Sequence, residues 1–223
     1  EFCRARIDPG IAGRYAHGDP SSFVGESENT THLTVADENG NVVSMTQTLN
    51  DAFGSRVTVP GTGVILNNTM YNFDPHPGTA NSIAPGKRVL SSMAPIIVFK
   101  DGRPYMALGT PGGRRIFGSV LQGILNVIDH GMSLQEAVEA PRIWTQGQNL
   151  ELEPGIDGKV EEVLSRFGHE LERVDRVAGG MNGIQFSPDG LIHGAACWRA
   201  DGSPVGLSGG PAIFSGSNPM FTI

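Results

Sequence analysis

Residues 30–50 read TTHLTVADENGNVVSMTQTLN, and this stretch decides how the chain is to be read. Thr30 to Asp37 alternates loosely between apolar and polar residues. Glu38-Asn39-Gly40 supplies turn chemistry, and Asn41 to Asn50, rich in Val and Thr, reads as the returning strand. Two registers are open. A three-residue turn with Gly40 in the left-handed position sets Thr30 opposite Thr48, close enough for their hydroxyls to interact. A two-residue turn at Asn39-Gly40 sets Thr48 beside Thr31 instead.

The same grammar recurs further along. Pro95 to Lys100, Asp101-Gly102 and Arg103 to Gly109 predict a second hairpin. Gly183 to Ser187, Pro188-Asp189-Gly190 and Leu191 to Trp198 predict a third. Between them lie helical patterns. Arg115 to His130 carries Ile116, Val120, Ile124, Val127 and Ile128 on one face and ends at Gly131. Ser133 and Glu136 form a capping-box pair ahead of a short helix that Pro141 stops. Val160, Val163, Leu164 and Phe167 recur at helical spacing before Gly168. Antiparallel hairpins with a few amphipathic helices predict an α+β fold, helices layered on sheets. Residues 1–29 are polar and broken by Pro and Gly. Residues 207–223 are small and polar and read as a loosely ordered tail.

Composition narrows the function classes. Of 223 residues, 39% are apolar and 31 are Gly, so a sizeable core threaded by tight turns is expected. The net charge of −7, with no basic stripe, argues against nucleic acid and anionic membrane as partners. Two cysteines, Cys3 and Cys197, make no disulfide framework or zinc ribbon. The six histidines never fall three or four apart, so no metal site is expected.

Three features could carry chemistry. Thr30 follows Asn29 at the head of a strand, and a threonine hydroxyl becomes a nucleophile when a base is adjacent; its own α-amine serves once the preceding bond is cut. Gly109-Thr110-Pro111-Gly112-Gly113-Arg114-Arg115 runs from a strand through a glycine turn into a helix. Such a loop exposes backbone N–H groups to a carboxylate, a phosphate or a developing oxyanion, or is simply a tight connection. Leu90-Ser91-Ser92-Met93 offers two adjacent hydroxyls to an anion or to its own turn.

Taken together and in order, these stretches resemble the γ-glutamyltranspeptidase family of N-terminal-nucleophile hydrolases. The residues that carry the resemblance are Thr30-Thr31-His32, Asp37 to Asn41, Thr48-Leu49-Asn50, Phe53-Gly54, Leu66-Asn67-Asn68, Leu90-Ser91-Ser92-Met93, Pro111-Gly112-Gly113, Ala140-Pro141-Arg142 and the Asp189-Gly190 turn. The resemblance implies a precursor that cuts itself between Asn29 and Thr30. Residues 1–29 would then end a large subunit and residues 30–223 form the small catalytic one. It implies a four-layer αββα sandwich completed by the large subunit, and no cofactor. Thr30 would be the nucleophile, Thr48 its hydrogen-bonding partner, and Gly112 and Gly113 the oxyanion hole. Asn50, Ser91 and Ser92 would hold the acyl group of the substrate.

The chain departs from the family pattern at informative places. Asn72, in Asn67-Asn68-Thr69-Met70-Tyr71-Asn72-Phe73, stands where the family has a carboxylate that pairs with a substrate α-ammonium. Thr69 stands where Gln or Glu is frequent. Arg114 follows the glycine pair where a small residue is more frequent, and it adds a potential carboxylate clamp. These changes predict an amidase for a carboxylate-bearing acyl group without an α-amine, such as a glutaryl or oxamate-like amide. A conventional γ-glutamyltranspeptidase or glutathione hydrolase is the alternative within enzymes. A non-catalytic domain retaining the fold is the alternative outside them. Only Pro75 to Gly86 separate Phe73-Asp74 from Lys87-Arg88, which resembles the family branch with a short lid and predicts an open pocket.

Overall fold

A computed structural model describes residues 8–11, 29–147 and 149–207. The opening hairpin pairs β1 (Thr30–Ala36) with β2 (Val42–Thr48). Its register sets Thr30 opposite Thr48, the three-residue-turn alternative. The turn is tied by Asp37, whose carboxylate accepts from the backbone of Asn39 and Asn41 at 3.0 and 2.9 Å, while Gly40 takes φ +82°.

The second and third predicted hairpins form, and they merge. β3 (Ile96–Lys100), β4 (Arg103–Gly109), β8 (Asn182–Phe186) and β9 (Ile192–Ala196) make one four-stranded antiparallel sheet, ordered β3-β4-β8-β9. Strand β4 runs through its middle and is buried from Met106 to Gly109. Alternation along it separates two faces. Met106 and Leu108 point into a core shared with Ile116, Val120, Val127, Leu134, Ala137 and Val138. Those residues belong to α1 (Ile116–Ile128) and α2 (Leu134–Glu139). The opposite face carries Gly109, against which the His32 ring of β1 is packed. The described residues thus supply three layers: hairpin, sheet and helices.

Helix α1 starts at Ile116, one residue later than its sequence pattern, because Arg115 closes a 3-10 turn that begins at Gly113. Helix α2 carries the capping box, with Ser133 and Glu136 each bonding the other's backbone. Helix α3 (Gly158–Arg166) follows the predicted pattern, with Asp157 as its cap. The third sheet is absent from the sequence reading. It joins β5 (Ile143–Trp144), β6 (Leu150–Leu152) and β7 (Leu171–Arg173), the last two in parallel. Strands of two or three residues are too short to show a period. Trp198, expected at the end of a strand, instead opens a 3-10 turn through Ala200. Residues 1–7, 12–28 and 208–223, which include most of the expected large-subunit end and of the expected tail, lie outside the described residues.

Candidate active site

The inner face of the hairpin is lined by even-numbered residues, and most of them are polar: Thr30, His32, Thr34, Ser44, Thr46 and Thr48. Apart from Ser44, these side chains bond one another within the hairpin, and Asn182 of β8 bonds both Thr34 and the His32 carbonyl across to the sheet. His32 is 6% exposed, with one ring nitrogen 2.8 Å from the Thr46 hydroxyl and the other 3.0 Å from that of Thr34. Burial lowers its pKa to about 4, so the ring is neutral at pH 7. Asn182, at the start of β8, donates to the His32 carbonyl at 2.8 Å. Asn182 pairs with Gly109 across the sheet, so the head of β1 lies over the end of β4, where the glycine turn begins.

At that head sits a three-way junction. The Thr30 hydroxyl donates to the Thr48 hydroxyl at 3.0 Å. Thr48 in turn donates to the Asn29 carbonyl at 3.2 Å and accepts from the backbone N–H of Asn50 at 2.8 Å. Two bonds enter and one leaves, which uses the Thr48 oxygen fully. Asn50 is 4% exposed and takes φ +75°, a left-handed conformation that asparagine tolerates better than most residues.

The other predicted residues are reached through a chain of bonds. Asn68 bonds the Leu49 carbonyl through its N–H (3.1 Å) and Asp51 through its amide (2.6 Å), which ties the Asn67–Phe73 segment to Asn50. Thr69 to Asn72 form a 3-10 turn. The Asn72 carbonyl accepts from the Asn81 side chain at 2.6 Å, and the same Asn81 side chain accepts from the Leu90 N–H at 3.3 Å. Ser92 then donates to the Gly113 carbonyl at 2.6 Å, while the Ser91 hydroxyl is turned to the Met93 N–H at 3.2 Å. Gly112 and Gly113 both have positive φ, +133° and +57°, a backbone that glycine adopts at little cost. Arg114 reaches Gln146 at 3.2 Å, and Arg115 makes a two-pronged bond to Glu151 at 2.6 and 2.5 Å. Thr30 with Thr48 and Asn50 forms one group, and Ser92 with Gly112, Gly113 and Arg114 the other. Asn81 and Asn68 link Asn72 to both.

Sequence reasoning passed over His32, Asn81 and Asn182. His32 carried a weak signal: in the register that faces Thr30 with Thr48, it falls on the same face as both. A lone Asn in a loop carries none. Among the described residues no group of three metal-ligating side chains converges, and no helix is long and apolar enough to cross a membrane.

Comparison with known proteins agrees with the motifs. A family model described as gamma-glutamyltranspeptidase matches residues 3–207, and the chain belongs to that family. It is 64% identical over 188 residues to the acylase ACY 1 proenzyme of Pseudomonas sp. (strain SE83), covering 84% of this chain and 34% of that one. It is 43% identical over 181 residues to the glutathione hydrolase proenzyme of Bacillus subtilis (strain 168), covering 80% and 31%. The crystal structure of cephalosporin acylase from Bacillus halodurans superposes with a TM-score of 0.71 at 33% identity, covering 77% of this chain and 33% of that one. The chain thus spans about a third of the length of the curated relatives it matches.

Proposed function

We propose that the chain is the catalytic portion of a self-cutting amide hydrolase with Thr30 as nucleophile. The observation that carries this is the Thr30–Thr48–Asn29 junction. In the uncut chain the Thr48 hydroxyl both receives the Thr30 hydroxyl and donates to the carbonyl of the bond to be broken. Attack of Thr30 Oγ on the Asn29 carbonyl carbon forms a C–O bond. The Thr30 proton passes to Thr48, and Thr48 gives its own to the carbonyl oxygen, so little charge accumulates. Collapse breaks the C–N bond and leaves an ester, with the proton going to the departing amine. Water cleaves that ester, releasing the Asn29 carboxylate and a free Thr30 α-amine.

The freed amine then serves as base for the next attack, on a substrate amide. Gly112 and Gly113, with their positive φ at the head of a helix, are suited to receive the tetrahedral oxyanion. The acyl group leaves Thr30 to water or to an acceptor amine. A large subunit from the same precursor would complete the protein, in keeping with the proenzyme names of its relatives.

Two substitutions point to the acyl group. A neutral Asn72 cannot form an ion pair with an α-ammonium, and a desolvated ammonium without its partner is costly. Arg114, held by Gln146 directly after the glycine pair, suits a carboxylate. The substrate is therefore an amide of a dicarboxylic acyl group lacking an α-amine, glutaryl or oxamate-like, which fits the likeness to an acylase. The likeness to a glutathione hydrolase keeps γ-glutamyl amides as the second reading.

The intact mass of the full precursor, with Thr30→Ala alongside, tests the nucleophile. Two fragments, the smaller beginning at Thr30, with the variant left whole, are expected. A wild type that stays whole and folded would return the chain to a binding role. Rates on glutaryl against γ-glutamyl anilide then decide the acyl group.

A further inference from the structure

Behind the glycine pair runs the segment from Val177 to Gly180, and the packing between them leaves no slack. A β-carbon on Gly112 would lie 2.5 Å from Ala178 Cα and Cβ, and one on Gly179 would lie 2.7 Å from Pro111 Cγ. The Gly179 N–H donates to the Pro111 carbonyl at 2.9 Å. The fully buried Thr110 hydroxyl lies 2.9 Å from the carbonyls of both Gly179 and Pro111. Ala178 takes φ +61°, a conformation that costs a residue with a side chain and persists only where its surroundings impose it.

Those surroundings are charged and dry. Glu153 and Arg199 have side chains of zero exposure, and Arg142 is 2% exposed. One Glu153 oxygen accepts from the Val177 N–H at 2.6 Å and from Arg199 Nε at 2.7 Å. The other accepts from the Arg142 N–H at 2.8 Å and pairs with Arg199 Nη2. The Arg142 guanidinium donates to the carbonyls of Val177 (3.2 Å), Gly179 (3.0 Å) and Val138 (3.0 Å). Burial, with Arg199 alongside, lowers its pKa to about 10, which leaves it cationic at neutral pH. Arg199 holds Val138 and Ala140 in the same way. Two cations and one anion in a dry core are weak devices for stability, since apolar residues of like volume often do as well. What they supply here is direction: the cluster bonds Val177 at both its N–H and its carbonyl, and Gly179 at its carbonyl.

The geometry points to Arg142, braced by Glu153 and Arg199, as a positioning residue that sets the N–H groups of Gly112 and Gly113 by holding Val177–Gly179 against them. The inference rests on the reading of that pair as the oxyanion site. None of the three charged residues reaches the glycine turn itself by a described bond; the effect passes through Gly179.

The test uses the full-length, self-cut protein and whichever of glutaryl or γ-glutamyl p-nitroanilide the wild type cleaves. Arg142→Lys keeps the charge and loses the fork. It is expected to lower kcat by about tenfold to a hundredfold, with KM within about threefold. Thr110→Val removes the second bond to the Gly179 carbonyl and should lower kcat by about threefold to tenfold. Because both act on one carbonyl, the double variant should fall well short of the product of the two losses. A rise in KM with kcat intact, or losses that multiply, would overturn the inference. If Arg142→Lys does not fold, Thr110→Val decides alone, and an unchanged kcat overturns it. A wild type inert toward both anilides sinks the amidase reading and this inference with it; an active wild type with unchanged variants sinks the inference alone.

Discussion

The His32 ring occupies the space that a side chain on Gly109 would need: a β-carbon there would come within 2.7 Å of three ring atoms. The two residues sit in different sheets, so this contact sets how closely the hairpin approaches the four-stranded sheet. It lies two residues from Thr30 on one side and three from Gly112 on the other. Gly109→Ala should therefore push the hairpin away. The expected cost is about 1–3 kcal/mol of stability, as for other overpacked cores, together with slowed self-cutting. Urea unfolding and the time course of fragment appearance measure the two.

His32 also makes the fold acid-sensitive. Its folded pKa of about 4 lies below the ordinary 6.5, so between those values the unfolded chain binds more protons than the folded one. Its contribution is complete above pH 6.5 and is lost as the pH falls toward 4. The loss amounts to up to about 3 kcal/mol. His32→Gln should be less stable than wild type at pH 7 and flatter in its response to acid. Urea midpoints at pH 7, 5.5 and 4.5 for both proteins give the difference.

Thr48 should matter through its hydroxyl alone. Thr48→Ser keeps the junction and should cut itself within about tenfold of wild type. Thr48→Val keeps the volume and loses all three hydroxyl bonds, to Thr30, Asn29 and Asn50, and self-cutting should slow about a hundredfold or more. Densitometry of precursor and fragments over time distinguishes them. Equal rates for Ser and Val variants would remove Thr48 from the reaction.

Position 72 should control the acyl group. Asn72→Asp restores a carboxylate for an α-ammonium, and the ratio of kcat/KM for γ-glutamyl over glutaryl anilide should rise about tenfold or more. An unmoved ratio would place the ammonium site elsewhere.

Much of this was readable in the residues, for definite reasons. The three hairpins carry Gly at their turns and β-branched residues in their strands, and helices α1 to α3 repeat their apolar residues at helical spacing. Those signals are local. The merging of two hairpins into one sheet is not, because β4 and β8 pair across more than seventy residues and nothing short-range announces it. The choice between the two registers of the first hairpin was likewise open to turn chemistry alone. At the site, Thr30, Gly112 and Ser92 stood in recognisable motifs, whereas Asn81 and Glu153 act by bonds between distant segments. A Glu with zero exposure looks, in one dimension, like any surface carboxylate.

The hydroxyl-rich inner face of the hairpin has a last consequence. An apolar seam is slippery: its free energy changes little when one side slides by an ångström. A seam of paired hydroxyls and imidazole nitrogens behaves like a ratchet, with strength only at discrete settings. In the self-cutting proposed above, loss of the peptide bond before Thr30 would remove the covalent tether from the end of β1. On a smooth seam that end would drift; on this one it stays in its notch, and the new terminus is left where the uncut chain had put it.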